Sequence, residues 1–126
     1  MSDTEERLKQ NLNVVLRPIH IEEIISTLNY LRESTKKDKS KITDEFLKRI
    51  GFGSGLCIHP IVRKCIDWGN IVKMYKKTDT YRELCKAITR AILTPDVNTI
   101  NRIINLFERS RMFIIDRIVQ RYSEAE

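Results

Sequence analysis

Residues 58–93 read IHPIVRKCIDWGNIVKMYKKTDTYRELCKAITRAIL, and the reading of this stretch decides the fold. It holds the only Trp, two of the four Tyr and two of the three Cys. Its apolar residues recur at helical rather than alternating spacing. Pro60 stands where a first helical turn tolerates a missing N–H, and Ile61, Val62, Cys65 and Ile66 then make one face. Gly69 is expected to interrupt that helix. The next run, 70–77, turns Ile71, Val72 and Tyr75 inward and Lys73, Lys76 and Lys77 outward. Thr80 with Glu83 forms a capping box, a hydroxyl and a carboxylate satisfying orphan backbone donors. Tyr81, Leu84, Cys85, Ile88 and Ile92 follow on one stripe, with Arg82, Lys86 and Arg90 opposite.

The same periodicity extends outward in both directions. Toward the N-terminus, Ser2 and Glu5 make a capping box, and Leu8, Leu12, Val15 and Leu16 recur at helical spacing. Pro18 disfavours helical geometry in the residue before it and ends this helix near Arg17. Ile21, Ile24, Ile25, Leu28 and Leu31 make a broad stripe, closed by a polar, charge-rich break at 34–41. Ile42, Phe46, Leu47 and Ile50 mark a short helix with Ser40 or Thr43 as its cap, and the glycines of 51–55 end it. Toward the C-terminus, Thr94-Pro95-Asp96 ends one helix and caps the next. Ile100, Ile103, Ile104 and Phe107 carry the stripe on. Arg109-Ser110-Arg111 is the expected break before a last helix bearing Ile114, Ile115, Ile118, Val119 and Tyr122.

The expected fold is therefore all-α, about eight short helices stacked as antiparallel hairpins in an α-solenoid-like arrangement. One helical domain spans 1–126, with a C-terminal helical hairpin at 96–126. With 126 residues the chain can bury a sizeable core without a metal or disulfide. Four Gly and three Pro are few for an all-β fold. No apolar run approaches the ~18 residues of a membrane span. Three Cys and an N-terminus without a cleavage pattern point to reduced thiols and an intracellular protein.

Catalytic chemistry has little to stand on. Cys57, His59, Cys65 and Cys85 do not match a zinc spacing, and Cys65 and Cys85 fall on apolar stripes where a thiol acts as a small hydrophobe. Cys57 and His59 show no third group to orient a nucleophile. The glycines of 51–55 follow no strand pattern and precede no Lys-Ser/Thr pair, so they are not a phosphate loop. No enzyme, cofactor or metal is expected. The formal charge of +6 favours an acidic partner. The cations between Lys73 and Arg90, with Trp68, Tyr75 and Tyr81 beside them, have the make-up of an apolar slot with a positive rim. A basic helical nucleic-acid-binding module, neutralising phosphates without reading sequence, is the alternative. Asp79 and Glu83 interrupt its positive face.

The central stretch resembles the TFIIS N-terminal-domain-like family. There, a Gly-x-x-Val segment and a basic turn lead into a helix bearing Leu-Ala-x-x-Leu. Gly69, Val72, Lys76-Lys77, Leu84 and Ile88 stand at those places over 58–95, and Tyr75 with Leu93-Thr94-Pro95 looks most like the member that partners a Spt-type histone chaperone. Trp68 stands where the family usually has a small or aliphatic residue. The resemblance sets 58–95 apart as the family-like core and implies a nuclear, non-enzymatic docking domain of the RNA polymerase II elongation machinery. Its partner would be a disordered acidic-hydrophobic segment of a histone-chaperone-type factor. Trp68, Lys73, Tyr75, Lys76, Lys77 and Arg82 would form the rim and floor of the site.

Overall fold

The computed structural model describes residues 3–34, 41–50 and 68–125. They are all-helical, with no strand among the described residues. Six helices run in order: α1 Asp3–Val15, α2 Ile21–Ser34, α3 Ile42–Arg49, α4 Trp68–Lys76, α5 Asp79–Leu93 and α6 Val97–Ala125. The expected helix over Ile61 to Ile66, the glycine turn at 51–55 and the residues Cys57, His59 and Cys65 lie outside the described residues.

α6 corrects the expectation of a C-terminal hairpin at 96–126. It is one helix of 29 residues that runs through Arg109-Ser110-Arg111 without a break. At 1.5 Å per residue it is ~44 Å long and forms the spine of the molecule. No Gly or Pro lies within it. Its buried seam is Ile100, Ile103, Phe107, Ser110, Ile114 and Ile118, at steps of three and four. The polar residues that look like a break are therefore part of the seam. Asp96 opens the helix as expected: its Oδ1 accepts from the Thr99 N–H at 2.8 Å and from the Thr99 hydroxyl at 2.9 Å.

One buried apolar cluster draws on every helix. α5 packs most extensively along α6, to which a three-residue link joins it, and α1, α2 and α4 also lie against α6. Ala87 and Ala91, both buried, sit beside Leu84 and Ile88 on the inner face of α5 and let its backbone approach its neighbours. Tyr81, Cys85 and Ile92, expected on that face, sit at its partly exposed edge. In α2 the buried face is Ile24, Thr27, Leu28 and Leu31, whereas Ile21 and Ile25 remain largely exposed. α3 buries Ile42, Thr43, Phe46 and Leu47 against α2 and α5. Lys41 occupies its N-cap without a side-chain hydrogen bond, and the proposed cap Thr43 is a core residue instead.

α1 rests chiefly on α6, through Leu8, Leu12 and Leu16. Its last turn is held by Arg111, which is only 6% exposed. One Arg111 Nη donates to the Leu16 carbonyl at 2.5 Å and to Asn13 Oδ1 at 3.2 Å. The rest of the guanidinium makes a two-pronged pair with Glu108, at 3.0 and 2.9 Å. A cation at the carbonyl end of a helix meets both its unpaired acceptors and its negative dipole.

Candidate functional site

The expected slot lies where α4 turns into α5. Thr78 ties this turn together. Its hydroxyl donates to the Tyr75 carbonyl at 2.6 Å and accepts from the Tyr81 N–H at 3.2 Å, tying the end of one helix to the start of the next. Thr78, not Thr80, is thus the N-cap of α5. Gly69 lies in the first turn of α4, and the helix it was expected to interrupt lies outside the described residues. The side chain of Trp68 is outside the described residues, although its backbone opens α4.

Tyr75 is not the floor of an open slot. It is 2% exposed. Tyr81 meets its ring edge-on at 5.2 Å between centroids, and the Phe113 ring of α6 lies at 6.2 Å. Its hydroxyl donates to Ser110 Oγ at 2.6 Å, and Ser110 in turn donates to the Leu106 carbonyl. Burial pushes the Tyr75 hydroxyl far above its ordinary pKa. The terminal helix therefore covers this aromatic side of the elbow. The partner-binding role expected of Tyr75 is corrected to a core role, because a side chain so enclosed offers no surface to a second chain.

The cations of the elbow do face solvent. Lys73, Lys76, Lys77 and Arg82 are all exposed. Lys76 and Arg82 have carboxylate partners: Asp44 of α3 lies 3.3 Å from Lys76 Nζ, and Asp79 pairs with Arg82. Asp44 also accepts from the Tyr81 hydroxyl at 3.0 Å, so one carboxylate bridges α3, α4 and α5. Burial first, then the neighbouring Cys85 and Asp44, raise the Tyr81 hydroxyl far above its ordinary pKa. Lys73 and Lys77 have no ion pair among the described residues.

The positive surface continues along α5. Glu83 sits between two cations, 3.7 Å from Lys86 and 2.8 Å from Arg102 of α6. Arg102 hydrogen-bonded to it, and then Lys86, hold the Glu83 carboxyl below its ordinary range. Arg90, in the last turn of α5, is exposed. Nothing in the local sequence pattern marks Asp44 or Arg102 as part of this surface, because each arrives from another helix. Among the described residues no group of three or more His, Cys, Asp and Glu is placed to hold a metal ion. No described helix is long and apolar enough to cross a membrane.

No protein-family model, no curated protein and no solved structure matches this chain.

Proposed function

We propose that this chain is a non-enzymatic helical docking module that receives a disordered acidic-hydrophobic segment of another protein. The observation that carries this reading is the separation of faces on α4 and α5. Ile71, Tyr75, Leu84, Ala87 and Ile88 are buried, while Lys73, Lys76, Lys77, Arg82, Lys86 and Arg90 all stand in solvent. Such a surface steers an acidic chain toward itself and speeds encounter. The finer reading follows the resemblance of residues 58–95. It makes the chain a nuclear TFIIS N-terminal-domain-like module of a transcription elongation factor, its helices stacked as solenoid-like hairpins, and its partner a histone-chaperone-type protein. Burial of Leu84 and Ile88, with outward placement of Lys76 and Lys77, is compatible with the roles those positions have in the family's pattern.

The test is charge reversal where no internal pair is broken. Lys73→Glu with Lys77→Glu leaves the Lys76–Asp44 bridge in place and should weaken binding of a labelled acidic-hydrophobic peptide without changing the far-ultraviolet spectrum. Unchanged affinity would remove the α4 face from the site. A parallel salt titration with duplex DNA separates the basic nucleic-acid-binding alternative, for which affinity should fall steeply and linearly on a logarithmic scale with salt.

A further inference from the structure

α5 and α6 leave a groove between them on their outer side, with a volume of about 450 Å³. Lys86, Arg90 and Arg102 line it as cations, and Glu83 and Asp96 as carboxylates. Both carboxylates are committed. Glu83 is held between Lys86 and Arg102. Asp96 accepts the N–H and the hydroxyl of Thr99 at the start of α6. Arg90 makes no ion pair among the described residues, although Asp96 feels its charge from beyond ion-pair distance, so its guanidinium donors are open to a ligand.

Beyond the residues that line the groove, the α5–α6 link is flanked by two exposed apolar side chains. Leu93 lies three residues beyond Arg90, on the same side of α5, and is 79% exposed. Val97, the first residue of α6, is 73% exposed. Two large aliphatic side chains in water at the two ends of the α5–α6 link, Leu93 one turn beyond Arg90, suit a ligand that has both a carboxylate and an apolar side chain. They suit a phosphodiester chain less well, since its backbone would bring no apolar group to Leu93 and Val97.

We propose that this groove is where the acidic-hydrophobic segment docks, its carboxylates on Arg90 and Lys86 and a leucine-like or aromatic side chain against Leu93 and Val97. The inference rests on the docking function above and moves its centre from the elbow to the α5–α6 corner. A recognition element of this kind takes affinity from the apolar anchor and orientation from the charges.

The test uses the full chain and a short fluorescent peptide in which Asp and Glu alternate with Leu and Phe, followed by anisotropy at low salt. Arg90→Glu should weaken binding by about tenfold, the loss expected when a close charge pair becomes a repulsion. Leu93→Ser with Val97→Ser should weaken it severalfold, and a peptide with Ser for every Leu and Phe should bind the native chain equally poorly. Lys73→Glu with Lys77→Glu should have the smaller effect. If only that last pair loses affinity, the groove is wrong and the docking function stands on the α4 face. If the peptide does not bind, the docking function fails and the groove with it; if it binds and no variant differs from the native chain, both the groove and the α4 face are excluded as the site. Should the serine peptide bind as well as the parent, the apolar corner has no part in recognition. Duplex DNA that binds more tightly than the peptide and is lost with Arg90→Glu overturns the peptide as occupant.

Discussion

The Tyr75 hydroxyl reaches Ser110 Oγ at 2.6 Å across the α4–α6 interface, and both residues are sealed from water. Ser110 occupies a seam position that a leucine would ordinarily take. Its small side chain makes room for the ring, and its hydroxyl satisfies the phenol that would otherwise be buried without a partner. Ser110 in turn donates its hydroxyl hydrogen bond to the Leu106 carbonyl one turn back, so the chain of donors is complete.

Tyr75→Phe keeps the ring packing and removes one buried hydrogen bond, so it should cost about 1 kcal/mol. Tyr75→Ala removes an enclosed aromatic and should cost roughly 3–5 kcal/mol. Urea unfolding midpoints measure both. Equal losses for the two would show that the hydroxyl, not the ring, holds α4 to α6.

Arg111→Met should cost about 2–3 kcal/mol, below the usual loss for a broken buried pair because Glu108 keeps part of its surface in water. The loss should be local at first. Amide exchange should accelerate in α1 before it does in α5, since Arg111 holds the Leu16 carbonyl while α1 has few neighbours besides α6.

Thr78→Ala should cost about 1 kcal/mol, the usual worth of a hydroxyl N-cap, and Thr80→Ala should leave stability within about 0.5 kcal/mol. Comparison of the two by thermal unfolding tests which threonine starts α5. The opposite ranking would restore the Thr80 capping box.

Asp44→Asn keeps an oxygen for the Tyr81 hydroxyl and removes the charge that pairs with Lys76. Stability should change by less than about 1 kcal/mol, as for other exposed pairs. The freed Lys76 should raise affinity for the acidic peptide. A decrease in affinity would show that the Asp44 bridge shapes the binding face rather than masking a cation.

Acid should weaken the fold through carboxylates whose folded pKa lies below the ordinary value. Glu108 is held down first by its hydrogen bonds from Arg111, Glu83 by Arg102, and Asp96 by the Thr99 N–H. Each binds a proton less readily in the folded chain than in the unfolded one. Their contribution is complete above the ordinary carboxylate range and is lost as pH falls through the depressed values. Urea midpoints should be flat near neutrality and decline on acidification. Arg111→Met should flatten part of that decline, because the hydrogen bonds that hold the Glu108 carboxyl down are then gone.

The helical class was legible in the sequence, and so was much of the inward face. Ile71, Tyr75, Leu84 and Ile88 are buried as their spacing implies, and Asp96 caps α6. These features depend on residues within one or two turns of each other, so period and cap chemistry report them directly. The misread places are those where a polar residue's partner is distant. Ser110 meets Tyr75 across 35 positions and Arg111 meets Leu16 across 95. Without those partners, Arg109-Ser110-Arg111 has the look of a solvated break. With them, Ser110 and Arg111 are the polar centre of a 29-residue helix. Periodicity alone determined that this chain is helical and which sides of its central helices turn inward. Only packing decided that Tyr75 belongs to the core, that Asp44 holds Lys76 and that Arg90 makes no ion pair among the described residues, because a side chain's partner is set by which helices meet.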